Sequence, residues 1–445
     1  MNKGKTLVPK LRFPEFREAE GWEVGALGEV AEFVSERISL ERVDLESYVS
    51  TENIISDFGG VTCASKLPTT GSVTRFRPND TLVSNIRPYL KKVWFSNKNG
   101  GASNDVIVIR AQHKLLTQYL PFLLKNDSFI DYVMTGAKGV KMPRGDVASM
   151  KEYPVYFPVP AEQQKIAECL SSVDALIAAQ AREVDALKTH KKGLMQQLFP
   201  REGETQPRLR FTEFKNDGDW NVRSLGQVAD NLDNMRVPIT LSDRDAGNIP
   251  YYGASGVVDY VKDYIFDEDL LCVSEDGANL VARTYPIAFP ISGKTWVNNH
   301  AHVLRFKNAC TQKLVEGYLN SIKLDDFITG MAQPKLNKAM LDSIPISHPD
   351  IAEQKRIADC LTALDELIAA QTQKLDILKA HKKGLMQQLF PSADLIRKEP
   401  KPSSASGRIG QTKALEQQTR HQFSRDNPMT LGLAVRSRRL MAPSA

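Results

Sequence analysis

Two stretches of this chain place apolar residues at steps of three, four and seven. In the first, Ala161 to Pro200 (AEQQKIAECLSSVDALIAAQAREVDALKTHKKGLMQQLFP), the stripe is Ile166, Leu170, Val173, Ile177, Val184, Leu187 and Leu194. In the second, Ala352 to Pro391 (AEQKRIADCLTALDELIAAQTQKLDILKAHKKGLMQQLFP), it is Ile357, Leu361, Leu364, Ile368, Leu375, Leu378 and Leu385. That spacing predicts an amphipathic helix with one narrow apolar face. About two positions in three agree between the copies, and the last eleven residues are identical. A helix of about 38 residues is a rod of roughly 57 Å, longer than a compact domain needs. So long a stripe requires a partner helix, and the nearest is its own twin. The rods are therefore expected to pair as an antiparallel intramolecular coiled coil. Pro160 suits a first turn, Asp350 with Glu353 reads as a capping box, and Pro200 and Pro391 end the helices.

A second repeat precedes the rods. PKLRFPEF (Pro9–Phe16), Trp22 and LGEVAEF from Leu27 return as PRLRFTEF (Pro207–Phe214), Trp220 and LGQVADN from Leu225. The offset is about 198 residues here and about 191 between the helices. Each half therefore consists of a shared lead-in, a private module and a shared helix. The first module carries TLVSNI, KKVWF and VIVIR between Gly, Pro, Asn and Asp clusters, which predicts a sheet with turns and a helix over 115–133. The second carries YYGASGVVDYV, YIFDEDLLCV, PIAF, KTWV and AHVLRF, then a helix over 314–328. Near their ends the repeat resurfaces, with Pro143, Arg144, Pro154 and Pro158 matching Pro334, Lys335, Pro345 and Pro349. The expected fold is α+β: two β-rich domains joined by two long antiparallel helices, with a pseudo-two-fold internal repeat. Its parts are a lead-in 1–34, module 35–157, helix 158–200, lead-in 201–229, module 230–347, helix 348–391 and a basic disordered tail 392–445.

Composition narrows the class. At 42% apolar and 25% charged, the 445 residues match a soluble globular protein of two or three domains. The start is polar, and no run approaches the ~20 apolar residues of a membrane span. Five scattered cysteines fit neither a disulfide framework nor zinc spacing, which predicts a reducing, cytoplasmic setting. The tail carries ten Lys and Arg against four Asp and Glu, so the remainder of a chain with net charge +5 is close to neutral. Any nucleic-acid binding by the body must therefore rest on local patches.

Catalytic signatures are missing: there is no P-loop, GxSxG or HExxH string. Pro349, Asp350, Glu353 and Lys355 superficially resemble nuclease elements. The internal copy, Pro158, Val159, Glu162 and Gln164, lacks the aspartate and the lysine, so capping explains the pattern better. His300 and His302 are spaced to share a strand face, but no third metal ligand is evident nearby. What remains is polar and basic readout. In the first module Arg75, Arg77, Asn85, Arg87, Lys91 and Lys92 cluster with Tyr89 and Trp94 interleaved, and Lys138, Lys141 and Arg144 follow in TGAKGVKMPRGD. Guanidinium groups bind guanine bidentately and ammonium groups hold phosphate, so these are candidate DNA contacts. The second module is net acidic. Its candidates are Tyr251, Tyr252 and the turn at Ala254–Ser255, then Lys294, Asn298, Asn299 and His300, and finally Gln333, Lys335, Asn337 and Lys338.

The whole arrangement resembles the specificity subunit of a type I restriction-modification system. The likeness rests on PVPAEQQKIAECL and HPDIAEQKRIADCL, the twin HKKGLMQQLFP ends, YYGASG, WVNNHAHV and GVKMPRGD, and it covers about residues 9 to 391. It implies that each module is a target recognition domain for one half of a split, asymmetric site in double-stranded DNA, and that the helices act as a ruler. It further implies docking of two methyltransferase (M) subunits, joined by restriction (R) subunits, without membrane association. The subunit itself would be non-catalytic and free of cofactor or metal, with AdoMet, ATP and Mg on its partners. A catalytic methyltransferase or nuclease, or a coiled-coil interaction protein without DNA readout, are the alternatives. The first would need an AdoMet glycine loop with an NPPY-type tetrapeptide, and neither is found; the second leaves two unlike modules unexplained.

Overall fold

The computed structural model describes residues 8–112, 114–201, 203–330 and 333–391. The sequence also predicts disorder over residues 1–8; residues 1–7 of that stretch and the basic tail 392–445 lie outside the described residues. The described residues fall into two units, 8–182 with 371–391, and 183–370. The two long helices are Pro160–Leu198 and Ile351–Leu389, 39 residues each. Each begins in one unit and ends in the other. Among the described residues no helix is long and apolar enough to cross a membrane.

Within the first unit the helices run antiparallel: Gln180 Nε2 donates to Gln371 Oε1 at 2.9 Å, while eleven residues further along the second helix Lys382 pairs with Asp174 at 2.5 Å. The second unit holds the repeat-related pair, Lys191 with Asp365, extended by Lys313 at 2.7 Å. Ile166, Leu170, Val184, Ile357, Leu361 and Leu375 are buried, and the other stripe residues are half-buried. Helix ends enter the cores. Met386, Leu389 and Phe390 pack in the first unit, with the Phe390 ring 5.6 Å from Tyr119 and 6.4 Å from Trp22. Met195, Leu198 and Phe199 pack in the second, with Phe199 5.7 Å from Tyr318. Both ends fill the same kind of socket, a physical reason for their identical sequence.

The lead-ins are pinned by a buried ion pair. Arg12 forks onto Glu162 at 2.9 and 2.7 Å, and Arg210 onto Glu353 at 2.8 Å twice. This corrects the capping box expected at Asp350: the Glu353 carboxylate is taken by the Arg210 fork, a stronger charge-assisted partner than the cap amide.

Each module contains a four-stranded antiparallel sheet of one design. In the first its order is Ala31–Phe33, Val106–Ala111, Thr81–Ser84, Val93–Phe95, and in the second Asp230–Asn231, Ala301–Arg305, Leu270–Ser274, Ala288–Ile291. Three of the four central strands, Thr81–Ser84, Leu270–Ser274 and Ala301–Arg305, are buried on both faces. Each module's further four-stranded sheet differs in order: Arg37–Ser39, Ser72–Phe76, Gly100–Ala102, Tyr48–Val49 against Gly256–Val261, Ala246–Gly253, Lys294–Val297, Phe266–Asp267. The modules thus share one sheet and diverge in the other. A two-stranded ribbon joins lead-in to exit in both, Glu23–Ala26 with Pro154–Phe157 and Asn221–Ser224 with Pro345–His348.

Two helix boundaries differ from expectation. The helix over 115–133 is broken into Leu120–Leu124 and Asp127–Thr135, because Asn126 caps the second piece by accepting from Ser128 N at 3.1 Å. The helix over 314–328 is Ala309–Ser321, followed by a separate turn at Asp325–Phe327.

Candidate nucleic-acid interface

In each module three loops meet at one end of the shared sheet. In the first these are the loop after Thr81–Ser84, the turn before Val106–Ala111 and the hairpin Lys138–Arg144. Backbone bonds tie them: Arg87 N to Pro143 O (2.8 Å), Gly145 N to Asn85 O (3.0 Å) and Asn85 N to Asp105 O (2.8 Å), with Lys138 and Arg144 bonded to each other twice at 2.9 Å. The second module repeats these links one for one. They are Gly277 N to Pro334 O (3.1 Å), Leu336 N to Glu275 O (2.8 Å), Glu275 N to His300 O (2.9 Å) and the mutual pair of Thr329 and Lys335 (2.8 and 2.7 Å). The backbone of this junction is duplicated; apart from the shared Pro143 with Pro334 and the basic Arg144 with Lys335, its side chains differ.

A family profile described as the type I restriction modification DNA specificity domain matches residues 19–189 and 217–380, once in each half. The chain belongs to this family. The putative type I restriction enzyme specificity subunit S.HindORF215P of Haemophilus influenzae is 36% identical over 149 residues, 34% of this chain and 38% of that one. The type I restriction enzyme MjaVIII specificity subunit of Methanocaldococcus jannaschii is 24% identical over 412 residues, 84% of this chain and 93% of that one. Among solved structures, the type I restriction-modification S subunit from M. genitalium matches with a TM-score of 0.54 at 16% identity, over 87% of this chain and all of that one. A chain solved for complex assembly and conformational transition of the type I R-M system gives 0.51 at 18%, over 83% and 98%. At these identities the structural likeness is one of fold.

In this specificity chain the first junction is cationic. Arg87, Lys138, Lys141 and Arg144 meet there with exposed side chains; Arg144 pairs with Asp105, and the charge of Lys138 acts on Asp146. Arg87 adopts left-handed backbone (φ 50°), as does Lys91 (φ 53°). Lys91 and Lys92 lie on the same loop but are engaged, Lys91 with Asp127 at 2.6 Å and Lys92 with Thr51 O at 2.6 Å. Burial, followed by the Arg87 charge, lowers the pKa of Lys92. Arg75 and Arg77 belong to the other sheet and its edge, and share one carboxylate, Glu36, at 2.8 and 2.9 Å. Asn85 corrects an expectation: its side chain is buried against Gly145, so it presents no edge to a groove.

The second junction has mixed charge. Lys335 pairs with Glu275 at 3.1 Å, His300 Nδ1 meets Asp276 at 2.8 Å, and Asn299 and Gln333 are exposed beside them. Beneath lies a buried network: His302 Nδ1 is 2.5 Å from Asp233, and its Nε2 is 2.7 Å from the Leu336 carbonyl at the hairpin root. Burial alone would raise Asp233 and Glu275; the His302 hydrogen bond holds the first below its ordinary value, and Arg236, His302 and Lys335 do the same for the second. Asp233, Glu275 and His302 bring ligand-type atoms within 4.8 Å of one another, but Arg236 already bridges the two carboxylates at 3.3 and 2.6 Å. That guanidinium supplies the cation the cluster needs. The two histidines do not share a face, since His300 lies in the exposed turn and His302 inside the sheet.

Other expected readers are corrected. Tyr251 is core, bonded to Ile239 by its hydroxyl and covered by Arg244 4.4 Å from its ring. Tyr252 stacks on Phe289 at 6.1 Å. Ala254 offers only a carbonyl, taken by Ser274 Oγ at 2.6 Å, and the exposed hydroxyl of that turn belongs to Ser255. Asn298 shapes its turn by accepting from His300 N at 2.8 Å. Asn337 caps the helix Lys338–Ser343, and Lys338 is exposed in its first turn. Lys294 sits on the other sheet, 4.5 Å over the Tyr264 ring. Sequence reasoning missed Asp105, Asp233, Arg236, Glu275 and Asp276. The visible match of Pro143 with Pro334 locates the hairpins but not the loops that bond to them.

Proposed function

We propose that this chain reads an asymmetric, bipartite target in double-stranded DNA, one half-site per module, and directs methylation and restriction carried out by partner subunits in the cytoplasm. The observation that carries this reading is the same three-loop junction built twice with unlike side chains. A duplicated backbone frame offers the same approach to DNA in each half. Divergent side chains on it select different bases, while lysines and arginines supply sequence-independent phosphate contacts.

The partner side of the proposal is two methyltransferase subunits, with restriction subunits added to that core. Repeat-related apolar residues that stay exposed support a partner bound twice: Leu11 and Leu209 at 39% and 41%, Val24 and Val222 at 62% and 56%, Leu176 and Leu367 at 55% and 42%. Side chains kept apolar in both copies without being buried offer the same docking surface twice. AdoMet, ATP and Mg belong in this reading to the partners, and this chain supplies positioning alone.

The test is to exchange residues 35–157 for the module of another specificity subunit and map methylated adenines in the host genome. One half of the target should change and the other persist. A change in both halves sinks the modular reading.

A further inference from the structure

The hairpin between Lys138 and Arg144 is fixed at its root and bare at its tip. The mutual hydrogen bonds of Lys138 and Arg144 close it, and Gly139 takes the left-handed backbone (φ 97°) that the turn needs. Behind it a Cβ on Gly145 would come within 2.5 Å of Met150 Cε and 2.8 Å of both Asn85 Oδ1 and Val133 Cγ1. No side chain fits there, so the hairpin is seated tightly against the module. At the tip Val140 is 102% exposed and Met142 56%. Lys141 stands exposed between them, with Lys138, Arg144 and Arg87 around the base.

Two exposed apolar side chains at one tip, Val140 fully and Met142 by more than half, gain little from folding, and the cationic rim selects an anionic ligand. Phosphate satisfies the rim but not Val140 and Met142. In the major groove the apolar group presented by the four bases is the 5-methyl of thymine. We infer that Val140 and Met142 contact thymine methyl groups and set a preference for thymine at one or two positions of one half-site. This rests on the DNA-reading function proposed above. The seated root holds the two side chains at a fixed depth, and Lys138 and Lys141 anchor the flanking phosphates. Because Val140 is fully exposed and Met142 more than half exposed, truncating both removes little buried surface and leaves folding intact.

The experiment uses the full chain in complex with its methyltransferase partner, selecting from randomised duplexes and then replacing each thymine of the selected half-sites singly by deoxyuridine. Wild type should lose roughly threefold to tenfold in affinity at one or two of these positions. The double variant Val140→Ala/Met142→Ala should bind the thymine and uracil duplexes alike, while Lys141→Ala weakens all duplexes uniformly. Four results overturn the inference: a first half-site without thymine, wild-type indifference to every replacement, unchanged discrimination by the double variant, or failure of that variant to assemble with its partner. A rise in 2-aminopurine fluorescence at one base step, lost in the double variant, would replace groove contact by unstacking. Absence of any sequence preference in wild type would instead strike the DNA-reading function itself.

Discussion

At the scale of single residues, the chain relies on buried charges that are fully paired. Arg12 with Glu162, and Arg210 with Glu353, are each almost inaccessible and each carry further bonds from the guanidinium to lead-in carbonyls. Removing one charge strands the other in a desolvated site, a cost of about 3–5 kcal/mol, whereas an exposed pair such as Glu15 with Lys165 contributes little. Glu162→Gln should therefore destabilise the first unit by about 3 kcal/mol. Hydrogen exchange checks this, with protection lost over residues 9–34 and retained over 207–229. Equal loss in both lead-ins would contradict it. Site residues were less legible than these motifs. Arg75 and Arg77 look like part of one cluster with Arg87 in sequence, yet they stand on the other sheet and its edge and share Glu36; Tyr251 and Asn337 look available, yet one is core and the other a cap. Residue type states what a side chain can bond to. The partner that claims it comes from elsewhere in the chain.

At the scale of elements, the long helices do more than pair. Their identical ends are the last pieces of the two cores, and Phe390→Ala would open a cavity between Trp22 and Tyr119. The expected cost is about 3–5 kcal/mol in the first unit, read as a lowered urea midpoint, with Phe199→Ala acting likewise on the second. The helix pairing in the second unit is also acid-sensitive. Burial alone would raise Asp365, but Lys191 and Lys313 outweigh it and hold it below its ordinary value. A depressed carboxyl contributes stability that is complete above its unfolded value and lost as pH falls through the folded one. The second unit should thus weaken as pH drops below about 4, and Asp365→Asn should be less stable at pH 7 with a flatter profile in acid. Denaturation midpoints across pH 2 to 7 decide this, and an unchanged slope in the variant would contradict it.

At the scale of the whole molecule, each unit is assembled from both halves of the sequence, since each long helix begins in one and ends in the other. A half-chain lacking the other half's helix end therefore lacks part of its own core. The proposed reading adds a metric consequence: helix length sets the spacer between half-sites. Inserting four residues into both helices, after Gln180 and after Gln371, adds about 6 Å of rise. The preferred spacer in the methylated target should lengthen accordingly. A fixed spacer in a complex that still assembles and methylates would show that the helices do not measure it.

The doubled helices, the lead-in arms and the α+β class were readable in the sequence, because periodicity and near-identical repeats are local properties that survive without coordinates. The hairpins were readable as positions, through the prolines shared at the helix offset. Only the tertiary structure decided that the two modules share a sheet and a three-loop junction. That likeness is carried by backbone hydrogen bonds, which any side chain permits and no residue pattern records. The same holds for which polar groups are left to face a ligand, since burial and ion pairing are settled by residues tens or hundreds of positions away.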